Sequence, residues 1–162
     1  MSNLIKWFAY DEMMNPEIFD KSGLKYEAAF SVTLSAYRLV FNKIPIDNFG
    51  VEGWGQANIS PTTDNLGMME GVLYEMEDSY LARLDEIYGY PEEYTRKKLR
   101  LTKHDFTFVD GIVYIAQVNR TRKGLIPTKE MLNKFKGCRK ILTRLYLSKL
   151  LIRPALDVEK PA

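Results

Sequence analysis

One cysteine, Cys138, and one histidine, His104, set the first limits on what chemistry this chain can do. A lone cysteine forms no internal disulfide, and together with one histidine it supplies no zinc cluster. A Ser-His-Asp hydrolase is equally poorly supported, because His104 lies beside Asp105 in a polar turn where exposure is expected. Acid–base work must therefore come from carboxylates, tyrosines or lysines. Cys138 falls on the apolar face of a helical pattern and reads as a small core residue. Trp7 and Trp54 read as core or pocket wall, and Met13-Met14 and Met68-Met69 as adaptable packing.

The elements that position such groups belong to one globular domain. With 162 residues, 46% hydrophobic and 27% charged, the chain is long enough to bury about two thirds of its unfolded surface. Aromatics at 12% exclude a disordered chain. No apolar run approaches the roughly 20 residues of a membrane helix, and Lys6 interrupts the apolar stretch near the N-terminus. The start thus reads as a mature cytosolic end, with no signal peptide and no membrane contact, and a cytoplasmic location is expected. Net charge is only +2 but unevenly spread. Residues 119–153 carry eleven Lys/Arg against Glu130 alone, whereas residues 1–118 carry eleven against eighteen acids. Such asymmetry can mark a polyanion-binding surface. No nucleic-acid-binding motif accompanies it, so a basic segment packed against an acidic body is the preferred reading.

Residues 4–10 form a short apolar run and read as a buried first strand. Asn15-Pro16-Glu17 supplies a helix cap, a first-turn proline and a first-turn acid for a short helix ending before Gly23. Segments 26–34 and 36–44 alternate as strands; in the second, Tyr37, Leu39 and Phe41 point one way and Arg38, Val40 and Asn42 the other. A glycine-punctuated loop leads to 56–60, and Pro61-Thr-Thr-Asp-Asn is a turn. Residues 68–76 predict a central strand in which Gly71 marks a bulge or a close backbone approach. Glu77-Asp78-Ser79 is expected to cap a helix with an apolar face of Tyr80, Leu81, Leu84 and Ile87, ended by Gly89 and Pro91. Strands follow at 94–102 and 108–118. From Thr128, the spacing Met131, Phe135, Cys138, Leu142, Leu145 predicts one amphipathic helix, in which Gly137 is a weak spot that allows close helix–sheet packing or a break. The inventory predicts an α+β fold: a small mixed β-barrel with a few flanking helices. Residues 1–153 read as one domain and 154–162 as a C-terminal tail.

Three segments together resemble the γ-glutamylcyclotransferase-like, or AIG2-like, family. The first is Trp7-Phe8-Ala9-Tyr10-Asp11-Glu12-Met13-Met14-Asn15-Pro16, where the family has Phe-x-Tyr-Gly-Ser followed by Asn or Leu. The second joins Gly71-Val72-Leu73-Tyr74 to Leu84-Asp85-Glu86-Ile87-Tyr88-Gly89-Tyr90-Pro91 and Tyr94-Thr95-Arg96, similar to Gly-Val-x-Tyr, Leu-Asp-x-x-Glu-Gly and a following Tyr. The third is Pro127 with Gly137-Cys138-Arg139. The resemblance implies a barrel with a pocket at one mouth and the release of 5-oxoproline from a γ-glutamyl compound. The substrate's own α-amine attacks its γ-carbonyl, so no cofactor or metal is implied. The Glu of Leu-Asp-x-x-Glu-Gly moves the proton, and backbone N–H groups of the Tyr-Gly-Ser loop cradle the glutamyl carboxylate and the oxyanion. Tyr10, Asp11, Glu12, Met13 and Tyr94 then occupy the substrate-binding positions.

Both functional motifs are altered. Tyr88 stands at the position of the proton-shuttling Glu, and a phenol with an ordinary pKa near 10 is a poor base at neutral pH. Loss of a positioned general base costs about 10²–10⁴ in rate. Asp11 and Glu12 stand where a substrate carboxylate should sit; at about 4 Å and an effective dielectric of about 20, each like-charge pair costs roughly 4 kcal/mol. Three readings stand. Glu86 supplies the missing carboxylate, although an offset of two residues turns it about 200° from Tyr88 on a helix. Or Asp11 or Glu12 replaces it from the opposite wall, in a pocket that favours a cationic or amine ligand through the acids and the tyrosine faces. Or Asp11 and Glu12 are a solvated loop, and the Tyr88 ring fills the vacated pocket. The expectation is a ligand- or partner-binding barrel that is not a standard cyclotransferase, taking a small γ-glutamyl or amine-containing molecule. The alternative is an active cyclotransferase with a relocated carboxylate, and the third is a polyanion binder through residues 119–153.

Overall fold

Residues 3–64 and 66–157 are described by a computed structural model. Seven strands and four α-helices follow in the order β1 (Leu4–Ala9), α1 (Pro16–Lys21), β2 (Ala28–Ser35), β3 (Tyr37–Lys43), β4 (Gln56–Pro61), β5 (Met68–Glu77), α2 (Leu81–Tyr88), β6 (Tyr94–Thr102), β7 (Phe108–Ala116), α3 (Lys129–Lys134) and α4 (Arg144–Leu151). Five strands close a barrel in the order β1-β5-β2-β6-β7, while β3 and β4 form a separate antiparallel pair. The predicted mixed barrel with flanking helices is what the chain builds. Among the described residues, no helix is long and apolar enough to cross a membrane.

The central strand is β5. It pairs antiparallel with β1 from Leu4↔Glu77 to Ala9↔Val72, and with β2 from Ala28↔Glu75 to Ser35↔Met68. A parallel contact at Trp7↔Ile112 closes the ring. Of the two expectations for Gly71, close approach is correct and the pairing shows no bulge. A Cβ on Gly71 would lie 2.5 Å from the Ala9 carbonyl oxygen and 2.5 Å from the Phe8 ring, so the ring of Phe8 packs against bare backbone. Trp7, Phe8, Leu73, Met76 and Tyr114 fill the interior, each side chain contributing about 1.5–3 kcal/mol on burial.

Asn15 caps α1 by accepting from the Glu17 amide at 3.0 Å. Its Nδ2 also donates to the Lys134 carbonyl at 2.8 Å, and the Asn15 side chain packs where a Cβ on Gly137 would otherwise be. The single amphipathic helix predicted from Thr128 is therefore corrected. The chain forms α3, tightens into a 3-10 turn over Phe135–Cys138, and starts α4 afresh at the Thr143 cap. Met131, Phe135, Cys138 and Leu142 are buried as that spacing requires, but Leu145 is exposed, because the new helix begins in a new phase. Two further expectations fail for similar reasons. Glu77 makes no side-chain cap, since a 3-10 turn at Asp78–Tyr80 precedes α2. The buried face of α2 is Leu84 and Tyr88, four residues apart, and Ile87 turns outward. Met68 is exposed at the end of β5, whereas Met69 is buried. The expected tail begins inside the fold: Leu156 donates to the Pro127 carbonyl and accepts from the Lys129 amide. Residues 158–162 of that tail, and Asn65 of the predicted turn, lie outside the described residues.

Candidate active site

The loop after β1 meets the end of α2 and the start of β6 at one mouth of the barrel. A cavity of about 130 Å³ lies there, bounded by Asp11, Glu12, Lys43, Tyr88, Glu93 and Tyr94 among others. Asp11 caps the 3-10 turn Glu12–Met14: its Oδ1 accepts from the Met13 amide at 3.0 Å. Its Oδ2 accepts from the Tyr88 hydroxyl at 2.7 Å. Tyr88 is the last residue of α2, which ends at Gly89 in the left-handed conformation with φ 62°. The Tyr88 ring stacks on Tyr114 at 4.4 Å and meets Tyr94 edge-on at 5.4 Å and Trp7 at 6.0 Å. Such aromatic pairs add about 0.5–1.5 kcal/mol each beyond their burial.

Tyr88 thus lines the cavity with its ring packed among Trp7, Tyr94 and Tyr114. The expectation of a solvated acidic loop is corrected for Asp11, which is only 8% exposed. The end of β1 directs this side chain inward, and the Met13 and Tyr88 donors compensate its burial. Glu12 is half-buried at the cavity edge. Glu86 is not in the cavity: it lies on the outer face of α2, paired with Arg83 at 3.2 Å, as its two-residue offset from Tyr88 dictates. Tyr94 and Met13 line the cavity. Tyr10 lies deeper, its hydroxyl donating to the Tyr114 carbonyl at 2.6 Å. Tyr114 in turn donates to Asp85 at 2.7 Å, next to Arg96.

Lys43 and Glu93 also line the cavity, with Arg120 bonded to Glu93 outside it, a cluster that the sequence reading missed. Lys43 is 1% exposed and donates to the Ile44 carbonyl at 2.6 Å, Glu93 at 2.9 Å and Gln56 at 3.4 Å. Arg120 donates to the same Glu93 oxygen at 2.9 Å. A signal was present: Lys43 continues the inward face of β3 defined by Tyr37, Leu39 and Phe41, so period two alone buries it.

Burial, then the charge of Glu12, raises the Asp11 pKa to about 7, against the opposing hydrogen bonds from Tyr88 and Met13. Burial and the Asp11 carboxylate hold the Tyr88 phenol well above its ordinary value, so it stays protonated and donates. Burial likewise raises Tyr94. Lys43 is lowered by burial, an effect Glu93 opposes. Burial would raise Glu93, but Lys43 and Arg120 outweigh it and hold this carboxylate below its usual range. All three ammonium protons of Lys43 are engaged, so the charge facing the cavity without a cationic partner comes from Asp11 and Glu12. A group that changes protonation near pH 7 is suited to accept a proton from an ammonium and return one.

A profile of the γ-glutamyl cyclotransferase, AIG2-like family matches residues 8–133. Among solved structures, a γ-glutamyl cyclotransferase superposes with a TM-score of 0.80 at 18% identity, over 96% of this chain and 91% of that one. An uncharacterised protein from Homo sapiens gives 0.76 at 19% identity, over 96% and 91%. A γ-glutamyl cyclotransferase specific to glutathione from yeast gives 0.66 at 13% identity, over 93% and 95%. No curated protein sequence is significantly similar to this chain. Identities this low carry the fold and leave the substrate open. The profile runs from β1 into α3, and the chain belongs to the γ-glutamyl cyclotransferase, AIG2-like family.

Proposed function

We propose that this family member does not act as a standard cyclotransferase and that its barrel mouth binds a small amine. One observation carries the reading: the two altered positions are bonded to each other. The Asp11 carboxylate accepts from the Met13 amide with one oxygen and from the Tyr88 hydroxyl with the other. It therefore engages an amide of the loop that the family resemblance reserves for the substrate's carboxylate. A γ-glutamyl carboxylate would have to displace an internal one and lie against Glu12. The space of about 130 Å³ suits a compact ligand, and an ammonium there meets the carboxylates of Asp11 and Glu12. The assay is 5-oxoproline release from a panel of γ-glutamyl amino acids and γ-glutamyl amines. No release above the uncatalysed background is expected; rapid turnover would overturn the reading.

A second reading rests on the Asp11 pKa of about 7. Asp11 would take the proton from the substrate's α-ammonium. The freed amine would form a C–N bond at the γ-carbonyl, the γ-amide bond would break, and the proton would pass to the leaving amine. Turnover with an acid limb near pH 7, abolished in Asp11→Asn and retained in Glu86→Gln, would select it.

A further inference from the structure

A second depression, remote in sequence from the Asp11 loop, lies between β3, β5 and α4, with a volume of about 340 Å³. Arg38 reaches it from β3, Lys149 from α4, and Arg153 from just beyond α4. Among the described residues none of these three cations has an ion pair. Glu70 is the acid of this wall, and it is already committed: its carboxylate accepts from the Thr143 amide at 2.8 Å and the Thr143 hydroxyl at 2.6 Å. Three cations against one internally bonded carboxylate leave an excess of two positive charges.

Two further features mark this wall. The Arg153 guanidinium lies 5.4 Å over the Phe41 ring, and burial, with the charge of Arg38 adding to it, lowers its pKa. Tyr146 lines the same wall, and its hydroxyl is buried and, among the described residues, has no hydrogen-bond partner of good geometry. The Glu70 amide lies near enough to lower its pKa, but burial prevails and pushes it up to about 12, so the O–H remains a free donor. A buried polar hydrogen without an acceptor is costly unless a ligand supplies one. The rest of the wall is apolar, with Leu66, Met68 and Leu145 exposed around it.

We infer that this groove binds a phosphate monoester carrying a short apolar body. Two guanidiniums, one ammonium and one hydroxyl offer donors to a tetrahedral dianion, the excess charge matches two negative charges, and the exposed apolar residues cover the ester's carbon chain. The volume falls in the usual range for small-molecule sites. This inference is independent of the Asp11 cavity, with which the groove shares no lining residue.

Calorimetric titration of the full chain with hexyl phosphate, inorganic phosphate and hexanol tests it. Hexyl phosphate should bind about tenfold or more tightly than either half-ligand. Arg38→Gln and Lys149→Gln, both at exposed positions where the fold tolerates change, should each weaken it about fivefold. Tyr146→Phe should weaken it about fivefold or more with the thermal midpoint unchanged or raised, because the hydroxyl has no partner to lose. Vesicles containing phosphatidic acid distinguish the sources: recruitment to them assigns a lipid headgroup, and binding of hexyl phosphate alone assigns a soluble ester. No saturation below about 5 mM hexyl phosphate would overturn the inference. So would an affinity unchanged in the Arg38/Lys149 double variant, or a duplex oligonucleotide binding through these residues without competition from hexyl phosphate.

Discussion

Asp11 shows how one carboxylate can be both structural and reactive. Folding takes it from water into a wall where Met13 and Tyr88 donate to it. Its pKa rises from 3.8 to about 7 on folding, so between those values the native state holds a proton that the unfolded chain releases. Stability from this group is full below about pH 4 and declines as the pH rises to 7, by up to about 4 kcal/mol. Asp11→Asn keeps an acceptor for Tyr88 without the charge. It should match the wild type near pH 4 and exceed it in stability at pH 8; equal stability across that range, by chemical denaturation, would contradict the raised pKa. The place of Tyr88 at the cavity was legible, because the family resemblance registers on Leu84-Asp85 and Gly89. The burial of Asp11 was not legible. Two adjacent acids read as a loop, and only tertiary contact with α2 reveals a donor for one of them.

At the scale of elements, the cavity depends on β3, β4 and β6 being tied together by Glu93. This carboxylate accepts from Lys43 and Arg120, and Lys43 reaches on to Gln56 and the Ile44 carbonyl. Glu93→Gln would leave two cations facing one another without an anion. Breaking a fully buried pair costs about 3–5 kcal/mol, and partial solvent contact places this case at about 2–4. A loss below about 0.5 kcal/mol in denaturant unfolding would show that the cluster does not hold the wall. Gly71 tests the barrel itself. Gly71→Ala sets a methyl against the Ala9 carbonyl and the Phe8 ring, and overpacking of this kind costs about 1–3 kcal/mol or more. A neutral substitution would mean that β1 and β5 can separate freely. Gly71 and the β3 alternation could be read from period two. Gly137 was legible as a weak spot, but not which of close packing or a break it permits: the apolar spacing from Met131 to Leu142 continues through it, and the Asn15 side chain that occupies the space comes from a distant segment.

On the scale of the whole molecule, the closed barrel organises two polar sites of opposite sign. The mouth beside α2 presents Asp11 and Glu12, and the groove along α4 presents Arg38, Lys149 and Arg153. The basic stretch 119–153 is therefore divided in its roles: Arg120 is consumed in the Glu93 cluster, Lys129 pairs with Asp157 at 3.3 Å, and Lys149 and Arg153 turn to the groove. Composition registered the surplus of charge but not its distribution, which depends on where each helix phase falls. The family barrel was legible because strand alternation and three motif blocks agreed along nearly the whole chain. The ligand was not, because Asp11 and Tyr88 take their environment from each other, 77 positions apart in sequence.

The most direct measurement is an NMR titration of the Asp11 carboxyl carbon, with and without propylammonium. A midpoint near 7 is expected in the free protein, moved lower by saturating amine, with amine affinity falling as the pH drops below 7. A midpoint near 4 that the amine leaves in place would contradict it, and would mean that Asp11 is neither buried against Tyr88 nor part of a binding site.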